Sequence, residues 1–119
     1  MEDGAYSDCV FCRIVAGDLP AEIVHSSDRI LAFRDVNPQA PVHILLITKE
    51  HVASIEEVDA AHGDALAELF VTATHLAKAE GVDRSGWRIV TNVGSDAGQT
   101  VEHLHFHLLG GRPMAWPPG

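Results

Sequence analysis

The chain has 119 residues, 46% of them hydrophobic and 21% charged, with no run of low complexity. That make-up fills one modest core and leads us to expect a single domain over residues 1–119. A formal net charge of -9 excludes long nucleic acid and anionic membrane as partners, since both are gripped by clustered Lys and Arg, but it leaves a single nucleotide held by main-chain amides open. No stretch approaches the roughly 20 apolar residues of a membrane helix. The opening MEDGAYSDC lacks the basic flank and apolar segment of a signal peptide, so a cytoplasmic location is the expectation.

In chain order, the first chemical signal is the pair Cys9 and Cys12, the only cysteines, spaced C-x-x-C. In a reducing compartment such a pair reads as metal ligands or a redox couple rather than a lasting disulfide, with two buried small side chains as the plain alternative. A thioredoxin-like site would need a long helix after the pair, whereas only Val10, Phe11, Ile14 and Val15 follow before Gly17. After Pro20, residues 22–25 and 30–33 read as a hairpin around Ser26-Ser27-Asp28. Asn37-Pro38-Gln39-Ala40-Pro41 breaks the pattern, and 42–47 reads as a buried strand. From about 59 to 80, Leu66, Leu69, Phe70, Ala73, Leu76 and Ala77 recur at helical spacing, with Asp59 as N-cap and Gly81 as stop. A strand over 87–91, a loop over 92–99 and a last strand over 101–109 complete the order β-β-β-α-β-β. The fold class expected is α+β: a mostly antiparallel five-stranded sheet with one long helix on one face.

The last strand, VEHLHFHLL, carries the chemistry. Strand side chains alternate, so His103, His105 and His107 share one face while Leu104, Phe106 and Leu108 point beneath the helix. Neighbouring imidazoles then stand about 6.5–7 Å apart, far enough for one to attack, another to bind substrate and a third to hold structure or metal. A solvent-facing polar strand is the plain alternative. Gly94 and Gly98 in the preceding loop allow main-chain amides to converge on an anion, Thr100 offers a hydroxyl at the strand entrance, and Asn92 offers an amide across the loop.

The stretch GQTVEHLHFHLLGG resembles the motif of the histidine triad family, and the ending Gly110-Gly111-Arg112-Pro113-Met114-Ala115-Trp116-Pro117-Pro118-Gly119 is similar to the tail of its nucleotide-binding (HINT) branch. The likeness runs through FRDVNPQAPVH and back to Phe11, nearly the whole chain. The resemblance implies a homodimer whose sheet continues from one protomer into the other, with residues 110–119 as a tail at the dimer and active site. It also implies hydrolysis of purine nucleoside phosphoramidates through a nucleotidyl-histidine, without an organic cofactor. His105 would be the nucleophile, and an imidazole, whose ordinary pKa is about 6.5, is nucleophilic near neutrality. His107 and the backbone of Gly98, Gln99 and Thr100 would contact phosphate oxygens, Thr100 would assist the departing amine, and His43 would relay a proton or orient the triad, unless it is simply a satisfied core histidine. Asp35 would hold the ribose, Asn92 would stand by the nucleotide, and Phe11, Ile14, Phe33 and Val36 would surround the base.

Two features depart from the common pattern: Thr100 stands where many members have Ser, and the cysteine pair is missing from some. Other histidine triad proteins use such a pair with two histidines for zinc. Here that implies Cys9, Cys12, His51 and His103, a closed Cys₂His₂ set suited to structural Zn²⁺. His25, His62 and His75 are expected to be exposed bystanders. Other readings stay open: a nucleotide-binding or interaction protein with incidental hydrolysis, another nucleotide hydrolase of the same family, or a zinc hydrolase with all three triad histidines on one metal. The last leaves the cysteine pair and His51 unexplained.

Overall fold

Residues 30–34 and 42–48 are apolar at nearly every position, which suits strands buried on both faces, and both become inner strands of one sheet. In the computed structural model, which describes residues 8–119, the strands are β1 (Ile23–Ser26), β2 (Ile30–Arg34), β3 (Val42–Thr48), β4 (Trp87–Val90) and β5 (His105–Gly110). All neighbours are antiparallel and the order is β1-β2-β3-β5-β4. The five strands and the long helix are those expected from the sequence. A helix not expected, α1 (Val10–Val15), precedes them.

The long helix, α2 (Gly63–Ala79), is entered through two short 3₁₀ turns, Ile55–Glu57 and Ala60–His62. Asp59 caps the second turn by accepting from the Ala61 amide at 2.9 Å, while its own amide donates to His62 Nδ1 at 3.1 Å. Past the helix, Gly81 adopts φ +78°, a conformation that favours glycine and ends the run. Leu69, Ala73, Leu76 and Ala77 of α2 meet Ile30, Ala32, Ile44, Leu46, Phe106 and Leu108 of the sheet, with Leu104 alongside. Each fully buried leucine or isoleucine there contributes about 1.5–3 kcal/mol. Phe70, assigned to the same face from its spacing, is 45% exposed, with its ring in a T-shaped contact with that of Phe106.

The other face of the sheet carries Leu31, Phe33, Leu45 and Ile47, and α1 covers part of it with Phe11. Arg34, at the end of β2, grips Glu80 at the end of α2 through two bonds of 2.9 Å, and this pairing holds the Glu80 carboxyl below the ordinary range. The sheet therefore has a sealed side under α2 and a half-covered side where polar residues of β3 and β5 surface. None of the described helices is long and apolar enough to cross a membrane.

Candidate active site

In β3–β5 pairing, Leu45 faces His107, Ile47 faces His105 and Leu109 faces His43, so His43 and His107 sit one diagonal step apart on the half-covered side. That side opens into a cleft of about 380 Å³. His105 and His107 form its floor, and Phe11, Ile14, Phe33 and Val36 its apolar wall, with Asp35 and Thr100 at its polar edge. All eight are residues singled out from the sequence. Leu19, Ala21 and Val101 line it as well, and sequence reading missed them; their signal was an apolar pair flanking Pro20 and the apolar position opening the histidine stretch.

Main-chain partners decide what each imidazole can do. His105 is only 6% exposed, and its Nδ1 lies 2.6 Å from the carbonyl oxygen of His103. A carbonyl only accepts, so Nδ1 carries the proton and Nε2 is left with a bare lone pair for the cleft. At His43 the logic reverses: the Gln39 amide donates to Nδ1 at 3.0 Å, so the proton sits on Nε2, which reaches His107 Nδ1 at 2.9 Å. His107 then accepts at Nδ1 and keeps its own proton on Nε2. Burial is the main cause that pushes His107 down to about 4, helped by His105 and His43 against Asp35, and burial likewise lowers His43. Both rings are neutral at pH 7. The Asp35 carboxylate lies 3.4 Å from His43 Nε2 and accepts from the Asn37 amide at 2.8 Å.

Two clusters have ligand atoms close enough to share a cation: Cys9, Cys12, His51 and His103, and separately Asp35, His43 and His107, each within 4.8 Å. Their chemistry differs. His103, fully buried, donates Nε2–H to the Thr48 carbonyl at 2.7 Å, which leaves the Nδ1 lone pair facing Cys9 Sγ at 3.3 Å and Cys12 Sγ at 3.5 Å. His51 Nδ1 lies 3.2 Å from Cys12 Sγ. Burial, and then the bond and charge of Cys9, push the Cys12 thiol up to about 12, so a cation beside that sulfur is what would let it ionise. This donor set fits a tetrahedral metal. The second cluster does not, because the Gln39 amide fixes a proton on the His43 nitrogen that would have to bind. Nor do the three triad imidazoles form one cluster among the described residues.

The glycine loop departs from expectation. The Gly94 amide donates to Gln99 Oε1 at 3.0 Å, the Gly98 amide to the Ser95 carbonyl at 3.0 Å and the Gln99 amide to the Gly94 carbonyl at 3.0 Å, so these amides close the loop rather than pointing at an anion. Asn92 is likewise engaged, donating to the Ala97 carbonyl at 2.7 Å, and Asn92, Gly98 and Gln99 do not line the cleft. The final strand also starts later than expected, at His105: Leu104 donates its amide to Val52 at 2.6 Å, which draws residues 101–104 out of the sheet and places His103 at the metal-type cluster.

The profile of the HIT domain matches residues 16–114. The chain belongs to the HIT domain family. Among its relatives is the "14 kDa zinc-binding protein" of Brassica juncea, 46% identical over 94% of this chain and 100% of that one. The "Adenylylsulfatase HINT1" of Arabidopsis thaliana is 44% identical over 95% of this chain and 78% of its own length. Among solved structures, a HIT family hydrolase from Legionella pneumophila superposes with a TM-score of 0.92 at 50% identity, covering 94% of this chain and 100% of that one.

Of the three histidines of this HIT chain set aside as bystanders, only His75 is exposed. His62 is half-buried because it completes the Asp59 cap and approaches Glu50 at 3.7 Å. His25 lies at an irregularity of β1 with its Nε2 buried and without a hydrogen-bond partner in the structure.

Proposed function

We propose that the chain hydrolyses purine nucleoside phosphoramidates, releasing the nucleoside monophosphate and an amine through a covalent nucleotidyl-histidine at His105. The observation that carries this reading is the bare Nε2 of His105 at the floor of a cleft with one apolar wall and one polar edge. In the first step Nε2 forms a bond to phosphorus while the P–N bond breaks, and the departing nitrogen takes the proton of the Thr100 hydroxyl, which solvent water replaces. His107 offers Nε2–H to a phosphate oxygen, backed by His43. Water then attacks phosphorus while the P–Nε2 bond breaks, its proton passes to solvent by way of the Thr100 hydroxyl, and His105 is restored. Asp35 takes the ribose hydroxyls, and Phe11, Ile14, Phe33 and Val36 take the base. Arg34, the one cationic side chain among the described residues that line the cleft, is committed to Glu80 and Glu22, which favours a substrate with a single phosphate over a polyphosphate.

A second reading keeps the attack by Nε2 but breaks a P–O bond and releases sulfate, since the Arabidopsis relative is named an adenylylsulfatase. Zinc held by Cys9, Cys12, His51 and His103 would supply a fixed tetrahedral cross-link and take no part in the bond changes. The outer edge of β4, which no strand among the described residues pairs, lies near the tail whose Ala115 carbonyl accepts from Arg88 at 3.0 Å and suits pairing with a second copy. A cytoplasmic setting would keep Cys9 and Cys12 as thiols. Sedimentation is expected to give twice the chain mass.

His105→Ala is the deciding variant. Turnover of adenosine phosphoramidate should fall by about 10³-fold or more while AMP still binds, and the wild-type protein quenched during turnover should carry an AMP adduct on His105. Retained turnover overturns the reading. Loss of nothing but a background rate, with AMP binding intact, would favour an interaction protein instead.

A further inference from the structure

The cysteine–histidine cluster and the cleft share parts. His103 holds its ring between Thr48 and the two sulfurs, and its own carbonyl takes the Nδ1 proton of His105. Leu104, between them, is tied to Val52, the residue after His51, so two candidate ligands and the nucleophile hang on one hydrogen-bonded crossing. On the other side, Cys9 Sγ accepts from the Cys12 amide at 3.4 Å and caps α1, a helix of six residues that is too short to hold itself. That helix delivers Phe11, whose ring makes T-shaped contacts with those of His105, His103 and Phe33 at centroid distances of 5.1, 5.9 and 5.6 Å.

We propose that a metal ion held by Cys9, Cys12, His51 and His103 positions the nucleotide cleft from outside it: through the His103 carbonyl it sets the tautomer and aim of His105, and through the Cys9 cap it sets the Phe11 wall. His103 and Cys9 are positioning residues, and the ion touches neither substrate nor reacting atoms. This rests on the zinc assignment above and not on which leaving group is used.

The test removes Zn²⁺ from the full chain with a chelator, then restores it, and compares His51→Ala with His51→Cys. His51 does not line the cleft, and the Cys variant keeps a four-ligand set. The readouts are AMP affinity, the His105 Nδ1–H resonance in ¹⁵N-labelled protein, and the split of any rate loss between kcat and KM. Without the metal, far-UV circular dichroism should keep the signal of the sheet and α2 and lose no more than α1 contributes, AMP affinity should be at least fivefold weaker and the Nδ1–H resonance lost, and kcat should fall more than KM rises. All should return on adding Zn²⁺ and in His51→Cys but not in His51→Ala. AMP affinity and the resonance unchanged by metal removal would overturn the proposal, as would global unfolding, which would reduce the ion to a fold-wide staple. Should the loaded protein not cleave phosphoramidates at all, the functional reading fails while affinity and resonance still decide this one.

Discussion

An imidazole has two nitrogens, and the atom that each one faces decides whether the ring attacks, donates or binds a cation. His105 faces the carbonyl of His103, His43 faces the amide of Gln39, and His103 faces the carbonyl of Thr48, so three rings of one residue type are sorted into three chemistries. His43→Ala would strip His107 Nδ1 of its donor and let that ring turn or switch tautomer. We expect kcat to fall about 10–100-fold with AMP affinity changed less than threefold. Equal losses in both would show that His43 shapes binding instead. That His105 and His107 share one face of the sheet was legible in the sequence, because alternation is a property of strands. The tautomers of the three sorted rings were not, because the partners are main-chain atoms of Gln39, His103 and Thr48, and no side-chain pattern announces them.

At the level of elements, the loop over 92–99 illustrates how glycine-rich sequence misleads. Gly94 and Gly98, with φ of +81° and +85°, supply the turns, but the amides they free are consumed by the loop itself. Gln99 is the clasp: it accepts from Gly94, and its Nε2 donates to the carbonyls of Ala53 at 2.9 Å and Val101 at 3.1 Å. Gln99→Ala should cost about 1–2 kcal/mol in denaturant unfolding, since those partners are partly open to water and regain some bonds there. It should also weaken AMP binding, because Thr100 and Val101 leave the clasp directly into the cleft. A destabilised protein with unchanged AMP affinity would separate the loop from the site. The helix α1 escaped the sequence reading for a related reason: six residues carry too little periodicity, and its cap is a thiol of Cys9 rather than one of the usual hydroxyl or carboxyl caps.

Over the whole molecule, the sheet divides stability from chemistry: one face is sealed by α2, and the other buries titratable rings against a cleft. The architecture was readable because β2 and β3 are apolar on both faces and α2 has a clear stripe, whereas the bend over 101–104 depends on one long-range bond to Val52. Burying neutral histidines has a consequence for pH. His107 titrates near 6.5 when unfolded and is pushed down to about 4 when folded, so below 6.5 the unfolded chain takes up a proton that the folded chain refuses. Stability should therefore fall as pH drops from about 6.5 to about 4, by on the order of 2 kcal/mol after allowing for the ring's partial exposure. The groups facing the ring are His43 and His105, with Asp35 opposing them, and lowered His43 adds to the same trend. The Glu80 carboxyl, held low by Arg34, loses its contribution only below its unfolded value near 4.5. Denaturant unfolding at pH 7 and pH 4.5 should show a clear loss in the wild-type chain and a smaller one in His107→Gln, and because acid strips any bound zinc from both chains alike, the difference between them isolates the ring. Equal losses in the two would mean that His107 is as easily protonated folded as unfolded, and that it is not the neutral donor on which the cleft's chemistry relies.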